Sequence, residues 1–319
     1  MPTPPFRPVI RSLLIALASL LITGTTAVTV NASVMPPSAA GALAAAHGAV
    51  ARSVTATPDT SVPGPSGIRV KGAALANAAT GRILWSLDLN TERPIGSIVK
   101  VMTALVVIRA GDLNRTITVP KSVIAYLKTQ DQPSTAGLIP GDKLTAQELL
   151  EALLLPSGCD AAYALAKAYG PGLTAFIATM NTTAQRMGLA HTHFSNFDGL
   201  PWPTERSTYS TPRDLIALGQ AAMQYPVLRS IVDQQTYALA ATPRHHAYLW
   251  HTTNMLLPDY PGTIGIKTGS TNAAGYCLLF EARENGQVLI GVVLHSSRSN
   301  DMAAFSDATK ILNWGFRHV

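Results

Sequence analysis

Hydrophobic and polar positions divide the chain into strand-rich ends and a helical middle. Short apolar runs bounded by turn residues are typical of strands, and the sequence predicts five of them: 70–76, 83–87, 264–268, 276–282 and 288–295. Asn285-Gly286, between the last two, predicts a tight hairpin. A final amphipathic helix is predicted from the apolar residues spaced between Phe305 and Trp314.

The middle of the chain carries clear helix start and stop signals. Thr145 and Glu148 have the spacing of a capping box ahead of a leucine-rich helix that stops at Pro156. Thr211 before Pro212 marks another helix start. Strands at both ends with helices between them predict an α+β fold, in which an antiparallel sheet is closed by both termini and a helical subdomain (about 103–235) is inserted.

The N-terminal segment has the pattern of a secretory signal. Arg7 and Arg11 precede a short apolar run, and Val30-Asn31-Ala32 fits a small-x-small cleavage site. The alternative is an uncleaved membrane anchor, but the apolar run is short for a bilayer span. We therefore expect a cleaved signal peptide at 1–32. Residues 33–66 read as a flexible Ala/Pro-rich spacer, followed by a folded domain at 67–319. We expect an exported protein at the outer face of the cytoplasmic membrane or in the cell wall.

Composition limits the classes of partner. Of the 319 residues, 47% are hydrophobic and 13% charged, which allows a sizeable core. The formal net charge is +6, but the basic residues are scattered, so no nucleic-acid partner is expected. The two cysteines, Cys159 and Cys277, are expected to be free thiols, and the protein to be a monomer without cofactor or metal.

Ser97 and Lys100 form the first motif with chemical meaning. Positions i and i+3 of a helix share a face, and a serine hydroxyl becomes a useful nucleophile when a neighbouring base takes its proton. An unprotonated lysine amine can do so when burial and a nearby cation lower its pKa. The surrounding helix is apolar, which makes an idle surface lysine unexpected here.

Two further motifs could complete such a site. Ser157-Gly158-Cys159 lies between two predicted helices, where the Ser157 hydroxyl could relay a proton. In Lys267-Thr268-Gly269, on a predicted edge strand, Lys267 offers a fixed positive charge and Thr268 a donor for a substrate carboxylate. Gly269 permits close approach of a peptide backbone. The backbone N–H groups of Ser97 and Ser270 could form an oxyanion hole.

The order of these motifs resembles that of penicillin-recognising serine enzymes, and more closely the D-alanyl-D-alanine carboxypeptidase family of low-molecular-mass penicillin-binding proteins. The likeness covers roughly residues 66 to 317. It extends to the following segments: Met180-Asn181, Thr192-His193-Phe194, Asp198-Gly199-Leu200, Thr253-Asn254, Gly265-Ile266 and Ala274-Gly275-Tyr276-Cys277.

The resemblance implies a fold and an activity. The fold is a β-lactamase/transpeptidase-like sheet flanked by helices. Ser97 is implied as the acyl-ester nucleophile, Lys100 as the proton acceptor, Ser157 as the relay and Lys267 as the carboxylate anchor. The implied substrates are peptidoglycan stem peptides ending in D-Ala-D-Ala, with β-lactams as covalent inhibitors.

The chain departs from the family pattern at two points. Cys159 stands where relatives usually carry Asn, and a thiol is a much weaker hydrogen-bonding group than an amide. Substrate positioning and the tuning of Lys100 are therefore expected to differ, in favour of transfer to an amine over hydrolysis. The chain also ends soon after Trp314, so membrane attachment is expected only through the N-terminus.

Other functions remain open on the sequence alone. A class A-type β-lactamase would need a glutamate to activate the deacylating water, and between residues 161 and 230 the acids are Asp198, Glu205 and Asp214. The pairs His191/His193 and His245/His246 point to a metal enzyme, but no matching ligand set completes a site. A hydrolase using Cys159 lacks an evident partner histidine. A non-catalytic cell-wall binding protein would not need the Ser97 and Lys100 pair.

Overall fold

The computed structural model describes residues 63–319. The predicted signal peptide (1–32) and most of the predicted spacer lie outside the described residues, so both stay predictions. Within 63–319, no helix is both long enough and apolar enough to pass through a bilayer.

The described secondary structure follows the predicted order. The strands are β1 (Gly72–Asn77), β2 (Ile83–Leu87), β3 (Arg93–Pro94), β4 (Thr116–Thr118), β5 (Lys143–Thr145), β6 (Tyr209–Ser210), β7 (Thr236–Leu239), β8 (Tyr248–His251), β9 (Thr263–Thr271), β10 (Gly275–Glu284) and β11 (Gln287–Leu294). The α-helices are α1 (Val99–Ala110), α2 (Ser122–Lys128), α3 (Ala146–Leu154), α4 (Cys159–Tyr169), α5 (Leu173–Arg186), α6 (Pro212–Met223), α7 (Pro226–Val232), α8 (Leu256–Asp259) and α9 (Met302–Phe316).

The main sheet joins the two ends of the described chain. Its five strands run in the order β2-β1-β11-β10-β9, and every neighbouring pair is antiparallel. The N-terminal β1 therefore pairs with the C-terminal β11, with Ala74 opposite Val292. The predicted hairpin is confirmed, since Glu284 pairs with Gln287 across Asn285-Gly286. The α+β fold class is confirmed, and β9, which carries four predicted site residues, lies at a sheet edge.

Both faces of this sheet are buried, which explains the continuous apolar runs in its strands. Leu75 and Phe280 face one side and pack with α9, around Ile311. Leu279 and Val292 face the other side and belong to the larger core built with the helices. Alternate residues of a strand point to opposite faces, so a strand buried on both faces is apolar at most positions. The result is a layer of helices on each side of the sheet. Glu281 on β10 is an exception, and Arg229 pairs with it at 2.8 Å.

Helix α1 crosses the interior of the larger core. Its residues from Val99 to Val107 are all buried, which is the pattern of a helix surrounded by protein. The sequence predicted that Ser97 opens this helix. Instead, Ser97 lies in a 3-10 turn (Gly96–Ile98) and the α-helix begins at Val99. Because side chains three residues apart also align in 3-10 geometry, Ser97 and Lys100 still share a face.

The predicted helix caps are confirmed. Thr145 Oγ1 accepts from the backbone of Glu148, and the Glu148 carboxylate accepts from the backbone of Thr145, which completes the capping box of α3. Thr211 Oγ1 caps α6 by accepting from the backbone of Asp214, with Pro212 in the first turn. The start of α3 is thereby set, and α3 leads directly into the Ser157 turn.

A buried acid on α3 makes the stability of the fold depend on pH. Glu151 is 3% exposed, and Gln234 Nε2 donates to its carboxylate at 3.2 and 3.3 Å. Burial raises the pKa of Glu151 from 4.5 to about 7, and the Gln234 hydrogen bond opposes this only in part. The folded protein thus holds this proton at pH values where the unfolded chain has lost it. The free energy of unfolding should fall as pH rises from about 4.5 through 7.

We therefore expect Glu151→Gln to stabilise the protein at pH 8, by about 1–2 kcal/mol, because it removes a buried charge. At pH 4.5 the variant and the parent should differ little, because the parent Glu151 is then protonated. Urea unfolding at the two pH values measures this. Glu205→Gln, at an exposed position, is the control and should change stability at neither pH. Equal effects of Glu151→Gln at pH 4.5 and 8 would contradict the assignment.

Candidate active site

The turn that carries Ser97 is held by close contacts between backbones. Gly96 has φ +52, and a Cβ there would lie 2.7 Å from the backbone nitrogen of Ser270 on β9. A Cβ on Gly199 would lie 2.1 Å from the carbonyl oxygen of Gly96. Real Cβ atoms do not approach so closely, so glycine is required at both positions. The Ser97 turn is thus clamped between the edge strand and the loop around Gly199.

Lys100 is the centre of the site. It is fully buried, and its Nζ lies 2.9 Å from Ser97 Oγ, 2.8 Å from the carbonyl oxygen of Asp198 and 3.4 Å from Cys159 Sγ. The carbonyl can only accept, so one Nζ hydrogen is directed at Asp198. The predicted pairing of Ser97 with Lys100 is therefore present in the geometry. An unprotonated amine at this place can accept the Ser97 proton directly.

The loop around Asp198 is built to present its carbonyl to Lys100. Thr103, one turn after Lys100 on α1, donates from Oγ1 to the carbonyl of Phe197 at 2.6 Å. Asn196 braces the loop from within, because its Nδ2 donates to Leu200 O at 2.8 Å and its Oδ1 accepts from Gly199 N at 2.7 Å. The carbonyl groups of Phe197 and Asp198 thus accept from Thr103 and Lys100, two polar residues one turn apart on the same face of α1.

The Asp198 carboxylate is itself anchored. Its side chain is fully buried, and it accepts hydrogen bonds from the Tyr126 hydroxyl and from the backbone of Leu200. Burial, and then the Asp198 charge, raises the pKa of Tyr126, so the phenol stays protonated and donates. Tyr126 is held by stacking on Tyr163, with ring centroids 4.8 Å apart. This aromatic support connects α2 and α4 to the loop that contacts Lys100.

The Ser157-Gly158-Cys159 turn brings the thiol, rather than the hydroxyl, to Lys100. Ser157 adopts φ +64, and its buried Oγ has no hydrogen-bond partner among residues 63–319. No hydrogen bond joins Ser157 to Lys100 in the described structure, where Cys159 Sγ occupies that contact. Gly158 has no room for a side chain, since a Cβ would lie 2.7 Å from Ala152 O. The Ser157 hydroxyl is therefore free to bond to a ligand.

Cys159 is a protonated thiol in this environment. Burial raises its pKa to about 11, although Lys100 acts in the opposite direction. A thiolate is needed for nucleophilic attack, so the geometry does not support a cysteine hydrolase. Cys277 is also buried, and burial raises its pKa to about 12. Both cysteines are free, which confirms the expectation from the sequence.

Lys267 and Thr268 form the opposite wall. Lys267 is 1% exposed, and its Nζ donates to Thr268 O at 3.1 Å and to Thr268 Oγ1 at 3.3 Å. Thr268 Oγ1 also pairs with Thr253 Oγ1 at 2.6 Å. Burial, followed by repulsion from Lys100, lowers the pKa of Lys267 well below its usual value. An anion beside Lys267 would favour its charged form and so would counteract this lowering.

Gly269 and Ser270 continue this wall along β9. A Cβ on Gly269 would lie 2.4 Å from Ile95 O, so the backbone that approaches it closely is the protein's own Ser97 turn. Ser270 is exposed, and its backbone nitrogen lies next to Gly96. The backbone nitrogen of Ser270 thus lies beside the turn that carries Ser97, which keeps Ser97 N and Ser270 N as candidate donors of an oxyanion hole.

The residues behind the alternative functions have other roles. His191 Nδ1 lies 3.1 Å from Glu92 Oε1, and His246 Nδ1 lies 3.0 Å from the Asp142 carboxylate. In the part of the chain that the structure describes, no group of three histidine, cysteine or carboxylate side chains could hold a metal ion. Asp214 accepts from the backbone of His191, and Glu205 is exposed. Neither acid contacts Ser97.

Comparison with known proteins agrees with this geometry. The family model described as D-alanyl-D-alanine carboxypeptidase matches residues 58–298. The chain belongs to this family. It is 42% identical over 273 residues to the D-alanyl-D-alanine carboxypeptidase of Streptomyces sp. (strain K15), a match that covers 82% of this chain and 91% of the relative. The D-alanyl-D-alanine carboxypeptidase of Mycobacterium tuberculosis is 34% identical, with coverage of 81% and 86%.

Solved structures of the family show the same fold. The crystal structure of the Streptomyces DD-transpeptidase from the same strain matches with a TM-score of 0.74 and 41% identity, covering 80% of this chain and 100% of that one. A D-alanyl-D-alanine carboxypeptidase from M. tuberculosis matches with a TM-score of 0.74 and 32% identity, covering 83% and 97%. The family resemblance inferred from the motifs is thus confirmed.

The sequence alone missed the supporting residues of this carboxypeptidase-family site. Thr253 was noticed only as part of the resemblance, and Asp198 only there and among the acids considered for a β-lactamase; neither was assigned a role in the site. Tyr126 and Thr103 were not singled out. Their function depends on contacts across 72 and 94 positions of sequence separation. Only the i, i+3 spacing of Lys100 and Thr103, two polar residues in an apolar helix, gave a signal.

We expect Tyr126→Phe to slow acylation of Ser97. Loss of the hydroxyl removes one of the two hydrogen bonds to the buried Asp198 carboxylate, so the carbonyl partner of Lys100 is held less firmly. The acylation rate constant should fall about 10-fold, equivalent to about 1.4 kcal/mol. Its pH profile should also shift, because the surroundings of the Lys100 amine change. Stopped-flow measurements with a fluorescent penicillin from pH 5 to 10 test both effects.

Tyr163→Phe is the matched control for this variant. Tyr163 stacks on the same ring, but its hydroxyl contacts Ser122 Oγ at 3.0 Å and not Asp198. The control should keep the parent pH profile even if it loses some stability. A rate loss in Tyr126→Phe with an unshifted pH profile would show that Tyr126 acts only on stability.

Proposed function

We propose that the protein is a serine D-alanyl-D-alanine carboxypeptidase/transpeptidase that acts on peptidoglycan stem peptides through an acyl-enzyme at Ser97. The observation that carries the proposal is the 2.9 Å contact between Lys100 Nζ and Ser97 Oγ, inside a buried site of a D-alanyl-D-alanine carboxypeptidase family member. Both named activities share this acyl-enzyme and differ only in the acceptor that resolves it.

Acylation begins at Ser97. Its Oγ attacks the carbonyl carbon of the penultimate D-Ala, and its proton passes to the unprotonated Lys100 amine. Negative charge develops on the carbonyl oxygen, where the backbone N–H groups of Ser97 and Ser270 stabilise it. The carbonyl of Asp198 keeps Nζ directed at Ser97 during this transfer.

Release of the terminal D-Ala involves Ser157, Lys267 and Thr268. The C–N bond to the terminal D-Ala breaks, and its nitrogen must gain a proton. Ser157 Oγ has no protein partner, so it is available to pass a proton from Lys100 to this nitrogen. Lys267 and Thr268 bind the terminal carboxylate, and the arriving anion raises the pKa of the Lys267 amine and so favours its charged form.

β-Lactams provide the direct test of the nucleophile. We expect the parent to be labelled covalently by a fluorescent penicillin and Ser97→Ala to lose labelling by at least about 10³-fold, because within residues 63–319 the hydroxyl that bonds to Lys100 is that of Ser97. Ser230→Ala, an exposed serine outside the site, is the control and should label like the parent. Labelling of Ser97→Ala would overturn the nucleophile assignment. Rapid nitrocefin turnover in place of a long-lived adduct would instead favour a serine β-lactamase.

Cys159 bears on the choice between acceptors. Its thiol lies 3.4 Å from Lys100 Nζ, where an Asn side chain could place its amide. Unlike that amide, a thiol offers a substrate no strong hydrogen-bond donor. We propose that this favours transfer to an amine over hydrolysis. The solved relative at 41% identity carries the name DD-transpeptidase, which supports the proposal.

We expect Cys159→Asn to increase the share of hydrolysis. A pentapeptide ending in D-Ala-D-Ala, incubated with and without added glycylglycine, yields free tetrapeptide by hydrolysis and a longer peptide by transfer. The hydrolysis-to-transfer ratio should rise about 5-fold in Cys159→Asn, which corresponds to about 1 kcal/mol. Cys277→Ala removes the other buried thiol, which lies on β10, bonds to Ala274 O and not to Lys100, and should leave the ratio unchanged. An unchanged ratio in Cys159→Asn would refute the role of the thiol.

We also propose that the protein acts outside the cytoplasm, at the outer face of the membrane or in the cell wall, as a monomer. The support is the signal-like pattern at 1–32 and the location of the peptidoglycan substrate. The penicillin labelling described above tests the location when it is done on intact cells with a probe that does not cross the cytoplasmic membrane. Absence of labelling before lysis, with labelling after it, would contradict export.

A further inference from the structure

A cavity of about 320 Å³ lies between the β4–β5 pair and the turn that joins β7 to β8. The two walls are connected, because the backbone nitrogen of Lys143 on β5 donates to the carbonyl of Arg244 in that turn at 2.9 Å. The lining shares no residue with the active site described above. The cavity is therefore a separate feature of the molecule, whose side chains have no role in the proposed reaction.

The β4–β5 wall presents a polar face to the cavity. Thr116 pairs with Thr145 across these strands, and Ile117 pairs with Leu144. Alternate residues of a strand point to opposite faces, and Ile117 and Leu144 are buried in the larger core. Thr116, Lys143 and Thr145 consequently share the other face, and all three line the cavity.

Two cations in the lining lack protein partners. Lys143 and Arg244 are exposed, and the side chain of neither makes an ion pair or hydrogen bond within residues 63–319. The acid in the lining is Glu148, whose carboxylate is used in the capping box, where it accepts from Thr145 N at 2.7 Å. The lysine, the arginine and this acid give the cavity two positive charges and one negative charge.

A buried histidine adds a further polar group. His245 lines the cavity and is 9% exposed. Its Nδ1 lies 2.8 Å from the carbonyl oxygen of His246, which can only accept, so Nδ1 carries a hydrogen and donates. Its Nε2 makes no hydrogen bond in the part of the chain that the structure describes. Both nitrogens of an imidazolium donate, and an anion nearby favours that form, so Nε2 is available to an anionic ligand.

Two threonine hydroxyls keep a hydrogen for a ligand. Thr145 Oγ1 accepts from Glu148 N at 3.1 Å, and Thr242 Oγ1 accepts from Arg244 N at 3.1 Å. Each hydroxyl acts as an acceptor towards the protein, and its own hydrogen has no acceptor within residues 63–319. Thr145 lies on the β4–β5 wall and Thr242 on the opposite one, so hydroxyl donors are present on both walls.

This set of groups suits a ligand that only accepts hydrogen bonds and carries negative charge. A phosphate group has its oxygens in a tetrahedral arrangement and can accept from both walls, whereas the lone pairs of a carboxylate lie in one plane. We propose that the cavity is a binding site for a phosphate group, as a monoester or a diester. Lys143 and Arg244 supply the charge, and His245, Thr145 and Thr242 supply directed donors. The proposal does not depend on the acyl-enzyme.

Calorimetry at low ionic strength tests the class of ligand. Inorganic phosphate, dimethyl phosphate (a diester) and acetate are titrated into the purified protein. We expect a millimolar Kd for phosphate, the strength of a few charge-assisted hydrogen bonds in an open cavity, and binding of acetate at least about 5-fold weaker. Absence of saturable binding of both phosphate compounds would overturn the proposal, as would acetate that binds as tightly as they do.

Two variants locate the binding. Lys143→Gln and Arg244→Gln should each weaken phosphate binding about 5-fold, because each removes one charged donor. Lys128→Gln and Arg186→Gln make the same changes at exposed positions outside the cavity and should leave the Kd unchanged. Equal weakening in all four variants would indicate general attraction to a basic protein and would refute the site. All four should label with fluorescent penicillin like the parent, which shows that they are folded and keeps this test separate from that of the proposed function.

The ring of His245 gives a readout that does not depend on a variant being stable. In NMR spectra of the parent, phosphate should shift the His245 ring signals with the Kd found by calorimetry. His245→Asn, which keeps a donor near the place of Nδ1 and lacks Nε2, identifies these signals by their absence. His191, which pairs with Glu92 outside the cavity, is the comparison and should not shift. Unshifted His245 signals at saturating phosphate would overturn the proposal.

The phosphate group can belong to a lipid headgroup or to a soluble or polymer-bound ester, and vesicles distinguish these sources. Co-sedimentation of the protein with phosphatidylglycerol vesicles that is reduced in Lys143→Gln and Arg244→Gln, but not in Lys128→Gln and Arg186→Gln, assigns the site to a lipid headgroup. Vesicle binding that is absent or equal in all variants, with phosphate binding still lost in the two cavity variants, assigns it to a non-lipid phosphate ester. Binding of phosphate and vesicles that neither cavity variant reduces would refute the site.

Discussion

The chemistry depends on one buried amine whose position is set from three directions. Lys100 Nζ lies within hydrogen-bonding distance of Ser97 Oγ, the Asp198 carbonyl and Cys159 Sγ. Burying a lysine is costly unless polar groups surround it, so the fold must supply those partners before any catalysis can occur. The 3-10 turn, the loop around Asp198 and the start of α4 each provide one of them. Helices α2 and α4 support these contacts indirectly, because Tyr126 and Tyr163 hold the loop around Asp198.

Two cations in a dry site impose a second constraint. Burial and repulsion from Lys100 lower the pKa of Lys267, so the pair is disfavoured in its doubly charged form. A substrate carboxylate beside Lys267 reverses part of that penalty, because an anion nearby favours the ammonium. Binding of a substrate carboxylate therefore also changes the protonation equilibrium of Lys267. This coupling links recognition of the peptide terminus to the protonation of Lys267.

Local features of the fold were predictable, whereas contacts across the fold were not. Capping at Thr145, the Asn285-Gly286 hairpin and the apolar strands depend on neighbouring residues, and the structure confirms them. The shared face of Ser97 and Lys100 also follows from spacing alone. The Tyr126–Asp198 bond joins residues 72 positions apart, and no local pattern encodes it. The burial of Lys267 was not predictable for the same reason, since it arises only when β9 packs beside the helices.

Cys159 shows how one substitution redistributes contacts within a site. The thiol lies against Lys100, while the nearby Ser157 hydroxyl is left without a protein partner. An amide at this position could bond to both the lysine and a substrate, whereas a protonated thiol does neither strongly. The acyl group would then be held mainly by β9, and recognition of the donor peptide would depend less on the Ser157 turn.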